Sequence, residues 1–174
     1  GSVEETTQVS FQHLCGLFRI TYTNATHEAK TIKSILTDAS RCYNVKYYLY
    51  NKTEGDFGRS SWTSQGTIAL NFGNDVTVAA GESKDFYILF FPDASMTETM
   101  SKIGVRYSDG VYNYTPSYQE TKNTQLPVFA AGTRYWFKIS DTDDGMVWDD
   151  TSQAQTVVIP NPEFADQLVL PDTP

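Results

Sequence analysis

Histidine and cysteine are almost missing from this chain. Two of each occur in 174 residues, and Cys15 and Cys42 stand alone, with no C-x-x-C or Cys/His metal spacing. That leaves no zinc or iron–sulfur motif. In an oxidising compartment the two thiols could form one bridge; otherwise each acts as a small apolar residue. His27 sits in the turn-like N-A-T-H-E, and His13 lies mid-strand beside Phe11 and Cys15. His13 and Cys15 share a strand face, but no third group orients them, so a structural histidine is expected there, not a nucleophile–base pair. G-x-S-x-G, H-E-x-x-H, G-x-G-x-x-G and the P-loop are all absent.

Positive charge is scarce too. Lys and Arg number 13 against 21 Asp and Glu, for a net charge of −8. Such a surface repels phosphate, so no nucleic acid is expected as a partner, and anionic lipid is disfavoured for the same reason. No run approaches the roughly 20 apolar residues of a membrane helix, so no membrane span is expected. The chain begins Gly1-Ser2 without methionine, the look of a processed or truncated chain, and its targeting is not legible. Helix-forming runs are few, and no helix is expected beyond one short turn over 93–100.

What is present is aromatic and strand-forming. Tyr numbers 11 and Phe 10, and Thr, Ser and Asn are frequent. The opening V-S-F-Q-H-L-C-G-L-F-R-I-T-Y-T-N reads as two strand segments meeting at Gly16. Val9, Phe11, His13 and Cys15 share one face; Phe18, Ile20 and Tyr22 share one face after the glycine, a parity shift that predicts a β-bulge. Strands are predicted at 9–15, 17–23, 31–37, 45–50, 66–72, 75–79, 85–91, 102–107, 111–115, 126–130, 134–140 and 155–160. This divides the chain into a loose leader 1–8, a β domain 9–150 and a proline-rich tail 151–174 carrying T-V-V-I.

Several local patterns carry more than strand propensity. Asp109-Gly110 predicts a tight hairpin between I-G-V-R-Y and V-Y-N-Y. Across it, ordinary aromatic packing of Tyr112 and Tyr114 is expected, with an exposed tyrosine surface as the alternative. V-A-A-G-E-S-K-D-F-Y-I-L-F and F-A-A-G-T-R-Y-W-F-K-I form a faint repeat, in which Gly81 and Gly132 are expected in turn conformations open to glycine. The stretch 51–65 reads as a long loop holding Trp62. D-T-D-D-G, 141–145, reads as a turn with a faint calcium-loop look but without full loop spacing, so no metal is expected. Three N-x-T sequons begin at Asn24, Asn51 and Asn113 and bear on glycosylation only in a eukaryotic secretory setting. Paired carboxylates of a glycosidase type are read here as solvated surface, so no enzyme and no cofactor are expected.

The opening strand, with its Phe and His leading into a strand ending in Asn24, resembles the first strand of the fimbrillin-like proteins of Bacteroidales. T-I-K-S-I-L-T (31–37), Y-I-L-F-F-P-D (87–93) and L-P-V-F-A-A-G-T-R-Y-W-F-K-I (126–139) are similar to later segments of that family, in order, over roughly residues 8–140. The resemblance implies a transthyretin-like β-sandwich matching the family's C-terminal domain, exported as a lipoprotein to the outer membrane. It also implies a cell-surface fimbrial subunit or adhesin assembling by strand exchange, with other fimbrial subunits or a host or bacterial surface ligand as partners.

The expectation is therefore an all-β Greek-key sandwich of two antiparallel sheets, about seven strands or more. The candidate assembly strand is 155–160, with Val157 and Ile159 as one set of anchors and Val158 opposite. Pairing of that strand within its own domain is the competing reading. The alternative function is a carbohydrate-binding module, with Trp62, Tyr112, Tyr114 and Trp148 as its candidate glycan contacts.

Overall fold

The chain is described by a computed structural model over residues 13, 15–38, 42–44, 48–51, 56–59, 68–92, 102–122, 128–149 and 155–158. Its elements are β1 (Gly16–Asn24), β2 (Lys30–Thr37), β3 (Cys42–Asn44), β4 (Tyr48–Asn51), β5 (Asp56–Arg59), β6 (Ile68–Val78) and β7 (Ser83–Pro92). These are followed by β8 (Ile103–Tyr107), β9 (Tyr112–Tyr114), α1 (Tyr118–Lys122), β10 (Thr133–Thr142), β11 (Gly145–Trp148) and β12 (Gln155–Val158). Alternation in β1 buries Phe18, Ile20 and Tyr22 and leaves Arg19, Thr21 and Thr23 on the opposite face. The same period holds in β10, where Tyr135, Phe137 and Ile139 are buried and Trp136 and Lys138 are not.

The larger sheet runs β11-β10-β1-β7-β3, and β12 also pairs with β10. β1 takes one whole side of β10, so β11 (against Ile139–Thr142) and β12 (against Thr133–Trp136) share the other side. The smaller sheet runs β6-β2-β8-β9, and β4 with β5 makes a separate two-stranded ribbon. The two sheets pack as a sandwich. Phe18 sits at the centre of the core, stacked on Phe90 at 4.1 Å between centroids and edge-on to Phe129 at 4.8 Å.

The all-β sandwich expected from the sequence is the fold observed, but several details differ. The larger sheet is mixed, because β1 and β10 run parallel. The segments 66–72 and 75–79 are one continuous strand, β6, passing through Gly73 and Asn74. The pairing nevertheless breaks at that point: Ser34 of β2 pairs with Asn71 and Ile32 with Val76, so residues 72–75 of β6 bulge against Lys33 alone; the bulge expected at Gly16 depends on preceding residues that are mostly outside the described set. Residues 128–130 form no strand, although Phe129 is buried: it enters the core from irregular backbone. Strand β5 lies inside the stretch read as a loop, and a short helix, α1, forms where none was expected. That helix is fixed by packing: buried Tyr118 meets Trp148 edge-on at 5.1 Å, and the indole N–H of Trp148 donates to the Pro116 carbonyl at 2.8 Å.

Turn chemistry follows the sequence. Gly81, Gly110 and Gly132 have φ of 77°, 91° and 66°, a region other residues rarely enter. Gly16 serves a different purpose: a Cβ there would lie 2.7 Å from the Ala130 carbonyl oxygen and collide with the Phe90 ring.

A polar clamp crosses the sandwich. Asp141, at the end of β10, is 1% exposed, and its Oδ2 accepts hydrogen bonds from the Tyr22 hydroxyl (3.2 Å) and the Tyr107 hydroxyl. Asn113 of β9 donates to the other oxygen at 3.4 Å. Burial first, with the Asp141 carboxylate contributing, raises the Tyr22 and Tyr107 hydroxyls well above the ordinary phenol range. A raised folded pKa means that stability is complete below the unfolded phenol value, near 10, and is lost above it. The unfolding free energy from urea titrations at a series of pH values should be unaffected by these two groups below about 10, then fall by about 1.4 kcal/mol per pH unit for each tyrosine. Tyr107→Phe should reduce that alkaline slope; an unchanged slope would remove this account.

Candidate functional site

The hairpin of β8 and β9 places two tyrosines in the open. Gly110 accepts the positive φ, its N–H donates to the Tyr107 carbonyl at 3.0 Å, and Asp109 Oδ1 accepts from the Val111 N–H at 2.9 Å. The resulting register sets Asn113 opposite Val105, Tyr112 opposite Arg106 and Tyr114 opposite Gly104. Asn113 therefore faces inward to Asp141, while Tyr112 and Tyr114 face outward, 45% and 53% exposed. The cross-strand aromatic packing expected from the sequence is not made, because Tyr107 lies on the other face of the sheet, in the core.

These two rings are held, not dangling. They are parallel within 8°, with centroids 6.3 Å apart, close to the repeat of alternate residues on a strand. Tyr114 lies over Gly104, where a Cβ would come 2.5 Å from its ring. The Arg106 guanidinium sits 5.3 Å from the Tyr112 centroid, a cation–π contact. A glycine under one ring and an arginine against the other thus fix both aromatic planes on β9, the edge strand of the smaller sheet.

A second surface was missed by the sequence reading. On the outer face of the larger sheet, the Trp136 indole N–H donates to Thr21 Oγ1 at 2.8 Å, and that hydroxyl donates to Asp85 Oδ1 at 2.5 Å. Asp85 Oδ2 accepts from Arg19 Nε and Nη2 at 3.1 and 2.6 Å. The Arg19 guanidinium then lies 4.1 Å from the Trp136 ring centroid and the Lys138 ammonium 4.6 Å from it. Burial opposes ionisation of Asp85, but the Arg19 and Thr21 hydrogen bonds outweigh it and hold the carboxyl below its ordinary range. The signal was available: in T-R-Y-W-F-K-I, Trp136 alternates with the core positions Tyr135 and Phe137 and so belongs on the outer face.

The other candidates fall elsewhere. Trp148 is 4% exposed and packed on Tyr118, so as a glycan contact it is corrected to a core residue. Trp62, Ile159 and the helical turn expected at 93–100 lie outside the described residues. So do the side chains of Val157, Val158 and Cys42, and with them the Cys15–Cys42 pairing. The backbone of β12 pairs antiparallel with β10, Val157 opposite Arg134 and Val158 opposite Thr133. Two sequon asparagines are engaged structurally: Asn24 is fully buried with its amide donating to the Glu28 and Val78 carbonyls, and Asn113 is tied to Asp141. The calcium-like segment is split, since Asp141 is in the core while Asp143 pairs with the exposed His27 at 2.5 Å. Among the described residues, no group of three or more His, Cys, Asp or Glu is placed to hold a metal, and no helix is long and apolar enough to cross a membrane.

No family model matches the chain. No curated protein matches it either. Among solved structures it is similar to a "putative cell adhesion protein" from Bacteroides uniformis ATCC 8492, with 14% identity and a TM-score of 0.42. The similarity covers 78% of this chain and 48% of that one, so the chain spans about half the length of that protein.

Proposed function

We propose that this protein is a non-enzymatic cell-surface adhesin or fimbrial subunit that holds a glycan ligand on the Tyr112–Tyr114 face. The observation that carries this reading is the exposed, parallel tyrosine pair on an edge strand, its planes fixed by Gly104 and Arg106. Rigid aromatic side chains give a large contact area at little conformational cost, which is why they dominate binding hot spots. On a glycan array, Tyr112→Ala and Tyr114→Ala should each weaken binding about tenfold, near 1.4 kcal/mol. Gly104→Val offers a sharper probe, because it displaces the Tyr114 ring while keeping its hydroxyl. It should reduce binding with little loss of fold, since the atoms it displaces belong to an exposed side chain. Wild-type binding that survives all three substitutions would rule this face out.

Assembly by strand exchange is a second reading, favoured by one observation. β12 lies on the outer side of β10 in antiparallel register, the place an incoming strand from another subunit would take. The intact chain should then form denaturant-resistant ladders on prolonged incubation. A chain that stays strictly monomeric at high concentration would instead assign the tail to its own domain.

A further inference from the structure

The outer face of the larger sheet holds an open hollow of about 420 Å³ around Trp136, and nothing in the preceding reading uses it. We infer that it is a binding site for an acidic sugar, a saccharide unit carrying a carboxylate. Its volume falls within the range of roughly 300–1,000 Å³ typical of small-molecule sites.

Charge supplies the first argument. Arg19 and Asp85 neutralise each other as an ion pair, and Lys84 and Lys138 against Asp149 leave the lining one positive charge in excess, on a chain whose net charge is −8. An anionic ligand is repelled by the surface at large and drawn to this spot. Order supplies the second. Asp85 and the indole together hold the Arg19 guanidinium in place, and Thr21 fixes the indole. Little side-chain freedom then remains to be lost on binding. The third is the kind of polar group present: the Thr23 and Ser83 hydroxyls, paired at 2.8 Å, also line the hollow. Simple anion capture needs only the cations; a pair of hydroxyls beside them matches a sugar ring with its own hydroxyls.

The inference is tested by NMR on the full chain, following the Trp136 indole N–H signal, assigned by its loss in Trp136→Phe. The probes are sodium glucuronate, glucose and sodium acetate at equal concentration. Glucuronate should produce a saturable shift with a Kd on the order of 1 mM, and glucose and acetate should not. Lys84→Ala combined with Lys138→Ala should weaken glucuronate binding at least about tenfold, while Tyr112→Ala should leave it unchanged, which separates this site from the tyrosine face. No shift with glucuronate overturns the inference. An equal shift with acetate reduces the hollow to an anion patch, an equal shift with glucose to a neutral-sugar site, and either result overturns it. Indifference to the lysine substitutions does so too.

Discussion

Phe18→Ala is expected to lower stability by about 3–5 kcal/mol, with the melting temperature falling by roughly 10 °C or more. Phe18 is fully buried, and its ring meets four others: Phe90 at 4.1 Å, Phe129 at 4.8 Å, Phe137 at 5.8 Å and Tyr135 at 6.2 Å. Truncation removes the transfer free energy of the ring and leaves a cavity at the junction of β1, β7 and β10. These strands are hydrogen-bonded side by side and cannot collapse inward to fill it. The aromatic pairs add about 0.5–1.5 kcal/mol each in favourable geometry, so Phe18→Leu should recover only part of the loss. Chemical denaturation checks this; a loss below about 1 kcal/mol would mean that the cluster is not the centre of the fold.

The second large effect is expected at the polar clamp. Asp141→Ala should cost about 3 kcal/mol, because it strands the Tyr22 and Tyr107 hydroxyls, each carrying a penalty of about 1–3 kcal/mol when buried without a partner. The hydroxyls lie 3.4 Å from each other and can offset part of that loss. Asp141→Asn keeps an acceptor oxygen and should cost less. Combined Tyr22→Phe and Tyr107→Phe leaves the carboxylate with Asn113 as its remaining side-chain donor and should cost about 3–5 kcal/mol. Removing all three groups should cost less than the sum of the two changes, the signature of a coupled network. Simple additivity would show that the groups do not act together.

Much of this fold is legible in the sequence wherever structure is local. The period-two burial of β1, β7 and β10 and the hairpin at Asp109-Gly110 all follow from residue type and spacing. Pairing between distant strands does not. Nothing in Phe18 or Tyr135 states that β1 and β10 run parallel, because that is decided by the route of the intervening chain. Short segments also misled where packing overrode propensity. Phe129 reads as strand but is an irregular residue with a core side chain, and G-M-V-W becomes β11 because a two-residue turn returns it alongside β10. Of the candidate contacts, the outward placement of Tyr112 and Tyr114 was readable, because alternation across a hairpin follows from residue spacing. Trp148 was misplaced because its burial depends on α1, which α-helical pattern alone does not reveal.

The parallel pair also governs the order in which this molecule can be made. β1 emerges early, yet its partners arrive much later: Thr21 and Trp136 meet across 115 residues. Closing so long a loop carries its entropy cost before any contact repays it, which slows folding. At synthesis rates of roughly 5–20 residues per second, β1 waits on the order of ten seconds for β10. Throughout that interval its hydrogen-bonding edge is open, a template for any extended segment that reaches it first.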